Sequence, residues 1–391
     1  MRDGILTLVF LALTVGLYFV PTGYEQRIDE RAVRCRGEVI AVDNSDMNRH
    51  GIVISGDQGV TVRILDGPYI GQEFRANNPL MAKMDIDKLF KVGDVALVVL
   101  TIDADGKILY VNPQDHYRID LELILLGLFA GLLLLFGGMT GAKALLSFVF
   151  SGMLLWKVLV PGLLQGYDPL YLSISVVSVL TAAIIFLVGG ISRKGFVAFA
   201  GAMLGVLTSC VLAIYFTGKF RLNGATLPFS ETLLYSGYAH LDIARIYVSA
   251  VFLAASGAVM DLAMDVAASL DEVVRENSDI TLFPAMAAGL RVGRAVVGTM
   301  TTTLLLAYSG GYITLVMAFM AQGVPLVNLV NMKFVAAEVL KTLVGSFGLV
   351  MVAPFTAMVG AVVFTRWPKT PANACYQVIQ PESPNQDTSA L

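Results

Sequence analysis

The sequence predicts a polytopic α-helical membrane protein, with about eight transmembrane helices and a small all-β, OB-like domain between the first and second. Three observations carry that class. Hydrophobic residues make up 56% of the 391 and charged residues only 15%. The mean hydropathy is +0.72. Soluble domains average about 25% charged residues, so this chain has too few polar side chains to coat a water-exposed surface. Its apolar residues fall in runs of bilayer length, while residues 21–118 carry strand-like patterning separated by Gly- and Asp-containing turns.

A span needs about 20 apolar residues, because a hydrocarbon core of about 30 Å is crossed at about 1.5 Å per residue. Segments 4–20, 119–138, 142–162, 169–190, 196–217, 243–262, 296–321 and 334–364 meet that test. The first follows Arg2 and reads as an uncleaved anchor over residues 1–20. A cleaved signal sequence is the alternative, but Tyr18-Phe19-Val20-Pro21 offers no small-residue cleavage site. The seventh segment is interrupted by Gly310-Gly311 and reads as broken or re-entrant. The eighth carries Pro354, which predicts a kink or a strong tilt.

Orientation follows from basic residues in the short connections. Lys143, Arg193-Lys194, Arg275 with Arg291 and Arg294, and Arg366 with Lys369 all fall on the side of Arg2 when eight spans are threaded. That side is expected to be the cytoplasm, with both termini there and residues 21–118 outside. Lys219 and Arg221 dissent, but Glu231 and Asp242 accompany them.

Within 21–118, strands are expected at Arg36–Val42, Gly51–Ser55, Val60–Leu65, Glu73–Ala76, Val92–Leu100 and Ile108–Asn112. Gly56-Asp57-Gln58-Gly59 reads as a turn, and residues 80–90 as a helix-like insertion. Together these predict an OB-like barrel that serves as a structural or partner-docking module, since it lacks a basic face. Residues 119–364 form the helical domain. The tail, 365–391, holds four prolines among polar residues and reads as disordered and cytoplasmic.

Several chemistries lack their residues. The net charge is −3 and no basic run occurs, so nucleic acid is not an expected partner. Cys35, Cys210 and Cys375 are far apart, as are His50, His116 and His240, so no disulfide framework or metal site is expected. No Gly-x-x-x-x-Gly-Lys-Ser/Thr phosphate loop occurs. Asp261 and Asp265 share one helix and lack the Gly-x-Gly-Asp of aspartyl membrane proteases. Ala255-Ser256-Gly257 lacks the first glycine of a membrane serine protease. No catalytic residue and no cofactor is expected.

The unusual residues gather in the last three spans. Asp261, Asp265, Ser269, Glu272 and Glu276 fall within about 80° of one another on a helix, opposite Leu262, Val266 and Leu270. The sixth helix should therefore leave the membrane as an amphipathic extension. Asp261 lies 16 residues beyond Arg245, about 24 Å along a helix and close to the inner edge of the hydrocarbon. Ionisable groups at that depth usually face protein or a wet cavity; the plainer reading is a solvated helix face. Arg291 and Arg294 follow in the connection to the seventh span. Positive-inside charge accounts for them without a further role. Thr299, Thr301, Thr302 and Thr303 can act as packing glue or line a polar path. Glu338 and Lys341, three apart in the eighth span, can neutralise each other or face a cavity with Asn328 and Asn331. Gly345 and Gly348 permit close helix approach.

Gly257-Ala-Val-Met-Asp-Leu-Ala-Met-Asp265, Pro284 ahead of Arg291 and Arg294, and Gly298-Thr-Met-Thr-Thr-Thr-Leu-Leu-Leu-Ala-Tyr308 give the chain a resemblance to the YibE/F-like bacterial membrane proteins. It covers roughly residues 120–364. The family's usual threonine motif is Thr-Met-Thr/Ser-Asn-Thr, so Thr302 departs from it. The resemblance implies a bacterial cytoplasmic membrane and a shared motif face, and brings no substrate, cofactor or catalytic residue.

The leading expectation is thus a transporter or permease-like protein of unidentified small solute or ion. Its candidate polar site comprises Asp261, Asp265, Arg291, Arg294, Thr299, Thr301, Thr302, Glu338 and Lys341, where the sixth and seventh spans meet the cytoplasmic face. The alternative is a non-transporting scaffold that docks a protein partner through the β-domain. Expected partners are the lipid bilayer and either another protein or a second copy of the chain.

Overall fold

The computed structural model describes residues 2–366, apart from 28, 30, 104, 105 and 278. The tail beyond Arg366 lies outside the described residues. Two compact units divide the chain: residues 12–161, and residues up to 11 together with those from 162 onward. An 18-residue apolar helix, α1 (Arg2–Phe19), opens it.

The β-domain has six antiparallel strands: β1 (Ala32–Asp43), β2 (Met47–His50), β3 (Val53–Ile64), β4 (Glu73–Met81), β5 (Val95–Ile102) and β6 (Ile108–His116). Strand β1 is shared. Its first half pairs with β5 and its second half with β3, the switch falling near Gly37. A Cβ at Gly37 would stand 2.7 Å from Val98 Cγ2, so only glycine lets the bent strand cross the core there. Strand β2 continues along the same edge of β3, β4 takes the other edge, and β6 pairs with β5. β4 and β6 lie against each other, curving the sheet into a half-barrel. Alternate residues of β1, β3 and β5 point inward, placing Val39, Val60, Val62, Ile64, Val98 and Leu100 in the core. Cys35 joins them, and burial pushes its thiol up to about 11.

Two expectations for this domain are corrected. Gly56-Asp57-Gln58-Gly59 lies inside continuous strand β3, and residues 82–94 contain no helix. One side chain accounts for both. Gln58 is 1% exposed, and its amide saturates four hydrogen bonds. Nε2 donates to Asn44 Oδ1 and to the Phe90 carbonyl, each at 2.9 Å. Oε1 accepts from Phe90 N at 3.0 Å and from Asn78 Nδ2 at 3.2 Å. Asn78 also donates to the Lys88 carbonyl at 2.7 Å. This amide pair supplies the backbone partners a helix would otherwise supply. Gln58→Leu is expected to destabilise the domain by about 2–4 kcal/mol, since it strands several buried polar groups. Hydrogen exchange on the full-length chain should show protection lost first across 82–94; unchanged protection there would refute this role for Gln58.

The stretch after the β-domain runs through α2 (Ile119–Leu154), a π-helical turn (Leu155–Leu159) and α3 (Val160–Leu164). Gly138 interrupts α2 with φ 51° and ψ −128°. There the chain reverses, because the Phe129 and Phe148 rings lie 5.8 Å apart. Nineteen residues of uninterrupted helix would separate them by about 28 Å. The stretch is therefore a helical hairpin, and none of its most apolar window is buried.

The second unit continues with α4 (Pro169–Gly189), α5 (Arg193–Lys219), α6 (Ser230–Tyr235), α7 (Ile243–Glu276), α8 (Leu282–Ser309), α9 (Ile313–Ala321), α10 (Leu326–Asn331) and α11 (Lys333–Arg366). Polar caps start three of the long helices: Asp168 for α4, Ser192 for α5 and Asp242 for α7. Asp168 also pairs with Arg245 at 2.5 Å, joining the first turns of α4 and α7. Among the described residues, five helical stretches suffice by length and composition to cross a membrane: 119–164, α4, α5, α7 and α11. The pair α8–α9 passes only together, bent by 64°.

That break falls at Gly310-Gly311, as the sequence indicates. However, α8 begins at Leu282, with Pro284 tolerated in its first turn. Arg291 and Arg294 therefore sit inside a helix and not in a connection.

Helices α5, α7, α8 and α11 pack on one another through small residues. A Cβ at Gly205 would lie 2.9 Å from Val259 Cγ1 and 3.1 Å from the Gly348 carbonyl. One at Gly293 would lie 2.6 Å from Ala353 Cβ, and one at Gly201 would overlap Thr356 Oγ1. Such contacts bring backbones together in a medium where the hydrophobic effect does not drive helix association.

Candidate functional site

The predicted polar residues divide into three groups. On α7, Leu262, Ala263, Val266, Ala267 and Leu270 are buried, while Asp261, Asp265 and Glu272 lie exposed on the opposite face. The two faces of α7 are thus as the pattern indicates, and the helix continues to Glu276. Near its end Arg275 pairs with Asp271 at 2.9 Å and Glu272 at 3.7 Å.

On α8, Arg291, Arg294, Thr299 and Thr302 are exposed, and Thr301 is half-buried. Each threonine hydroxyl donates to its own helix: Thr299 to the Val296 carbonyl at 2.9 Å, Thr301 to Val297 at 3.0 Å, and Thr302 to Gly298 at 3.3 Å. Back-bonded hydroxyls are satisfied in an apolar setting without a neighbouring helix. Asp261, Arg294 and Thr302 therefore occupy outward faces.

The third group points inward. Lys341 Nζ lies 2.6 Å from Glu338 Oε2, and the two side chains are 25% and 29% exposed. The same ammonium stands 5.2 Å from the centroid of the Tyr308 ring, which comes from the last turn of α8. Tyr308 packs over Gly345: a Cβ there would be 3.7 Å from the ring and 3.8 Å from the hydroxyl. The Tyr308 hydroxyl is buried, and no described residue bonds it. One turn away, Tyr247 of α7 donates to the Ala337 carbonyl at 2.6 Å. Three helices thus converge on a charged pair beside the α8–α9 break. Asn328 and Asn331 are exposed.

Tyr308 closes the Gly298–Tyr308 motif in the sequence, but nothing there marks it as a partner of Lys341. Tyr247 carried no signal beyond an aromatic ring two residues after Arg245.

Long apolar helices packed through small residues mark a helical integral membrane protein. The chain belongs to the YibE/F-like protein family, whose model matches residues 125–366. No curated protein and no solved structure matches it.

Proposed function

We propose that the chain is a permease-like protein of a bacterial cytoplasmic membrane, moving a small solute or ion past the Glu338–Lys341–Tyr308 cluster. One observation carries this reading: an ion pair held inside an apolar bundle, next to a broken helix. Desolvating two charges costs several kcal/mol per ion and contributes little to packing, so intramembrane pairs mark pathways and coupling sites. A cation arriving at Glu338, a proton included, displaces Lys341 towards the Tyr308 ring. An anionic group is drawn to Lys341 and the unpartnered Tyr308 hydroxyl. Discontinuous helices beside such sites free backbone groups for solutes.

The bilayer arrangement that goes with this reading has eight spans: α1, the two arms of the α2–α3 hairpin, α4, α5, α7, α8 and α11. Lys and Arg positions put both termini in the cytoplasm and residues 21–118 outside. The shared strand β1 and the approach of β4 to β6 favour an OB-like barrel. No enzymatic step is assigned.

Proteoliposomes assayed with protons, Na⁺, K⁺, phosphate and amino acids should show flux of one of these above empty vesicles. Glu338→Gln is expected to cut it at least tenfold, with Asp261→Asn within about twofold of wild type. Flux no greater than empty vesicles throughout, or an unaffected Glu338→Gln, would sink the reading.

A second reading, a scaffold, is favoured by a groove on the β-domain lined by Ile52, Ile54, Leu80, Met84 and Leu89 together with Asp87. Ile52 and Met84 are 84% and 71% exposed there. Specific co-purification with the full chain that Met84→Asp abolishes would support it; co-purification indifferent to that change would not.

A further inference from the structure

Helices α7 and α8 run antiparallel in a register that can be read from their contacts. Gly293 packs against Val266 and Gly289 against Leu270, where a Cβ would stand 3.7 and 3.4 Å from those side chains. The same register sets Arg294 level with Asp265, and Gly298 level with Asp261. These charged residues are exposed, and none of Asp261, Asp265, Arg291 and Arg294 makes an ion pair with a described residue. The chain therefore presents an acid and a base at one level along the α7–α8 pair, neither in an ion pair with a described residue.

Two glycines on these faces add an independent observation. Nothing lies within 4 Å of where a Cβ would stand at Gly257, one turn before Asp261, or at Gly298, one turn after Arg294. A helical glycine costs about 1 kcal/mol relative to alanine, and here no contact within the chain uses the missing side chain. In membrane helices such positions serve close approach by another helix.

We infer that this face is the contact between two copies of the chain, with Asp265 of each protomer paired to Arg294 of the partner subunit. The argument is one of symmetry. A two-fold axis along the membrane normal preserves depth, and an isologous interface makes each contact twice. Only groups at equal depth can then pair, and the register gives that equality to Asp265 and Arg294. Gly298 of one protomer falls opposite the Gly257–Asp261 turn of the other, where its bare backbone permits approach. Lipid headgroups offer no fixed array of both signs, whereas an identical face does.

The test uses full-length protein with Cys35, Cys210 and Cys375 replaced by alanine. Chains carrying Asp265→Cys and Arg294→Cys, each with its own tag, are co-expressed and oxidised in native membranes. A disulfide-linked heterodimer carrying both tags is expected. In lipid nanodiscs, photobleaching should count two wild-type copies. Arg294→Asp should lower the dimer fraction at least tenfold, and combining it with Asp265→Arg in one chain should restore it. That rescue separates lost pairing from lost folding. A monomeric wild type, no linked heterodimer, an undiminished Arg294→Asp dimer, or a crosslink from Arg294→Cys to a cysteine placed in residues 119–161 of the same chain would each overturn the inference.

Discussion

Gly348→Leu is expected to abolish the packed bundle. A Cβ at Gly348 would overlap Ser209 Oγ and stand 3.0 Å from the Gly205 carbonyl, so even the first added carbon meets backbone. Ser209 cannot turn aside freely, because it is buried and its hydroxyl donates to the Val344 carbonyl at 3.3 Å. Overpacking commonly costs about 1–3 kcal/mol; where two backbones must separate, about 3 kcal/mol or more is expected. Purified protein in detergent should lose its cooperative thermal transition, while Gly218→Leu, where nothing lies within 4 Å of an added Cβ, keeps it within a few degrees. A Gly348→Leu protein as stable as wild type would mean that α5 and α11 are not in contact at Gly205.

The second large effect concerns the inward charge pair. Lys341→Met leaves Glu338 ionised among apolar helices with its 2.6 Å partner gone. Removing one member of a buried pair costs about 3–5 kcal/mol; with about a quarter of each side chain exposed, about 2–4 kcal/mol is expected. Glu338→Gln in the same chain removes the stranded charge and should recover at least half of that loss. A double-mutant cycle on thermal unfolding in detergent gives the coupling. Additive single and double variants would show that the two side chains do not interact.

Much of the architecture was legible because its signals are local. Run length and hydropathy mark the apolar helices, Gly310-Gly311 marks the break, and acidic spacing marks the exposed stripe of α7. Strand alternation likewise finds β1, β5 and β6 to within a few residues. The failures share a cause, which is contact over long sequence separation. Gly56-Asp57-Gln58-Gly59 has turn composition, yet Gln58 turns inward because Asn44, Asn78 and Phe90 satisfy its amide. Nothing near residue 58 announces those partners. In the membrane domain, Glu338 and Lys341 were visible as a pair, but their meeting with Tyr308 and Tyr247 depends on how α7, α8 and α11 pack. Conversely, the motif residues Asp261, Asp265, Arg294 and Thr302 stood out in the sequence and lie on outward faces. Residues that are unusual for a membrane helix can be placed for a second molecule as readily as for a cavity.

The central claim, a solute-accessible polar centre inside the bundle, is tested most directly by side-specific labelling. Lys341→Cys and Tyr308→Cys, each in the cysteine-free chain, would be treated with a membrane-impermeant maleimide in right-side-out and inverted vesicles. Labelling of both positions from the extracytoplasmic face is the expected result, since they lie in the first third of α11 and the last turn of α8. Protection of both positions from both faces, in chains that still fold, would contradict it.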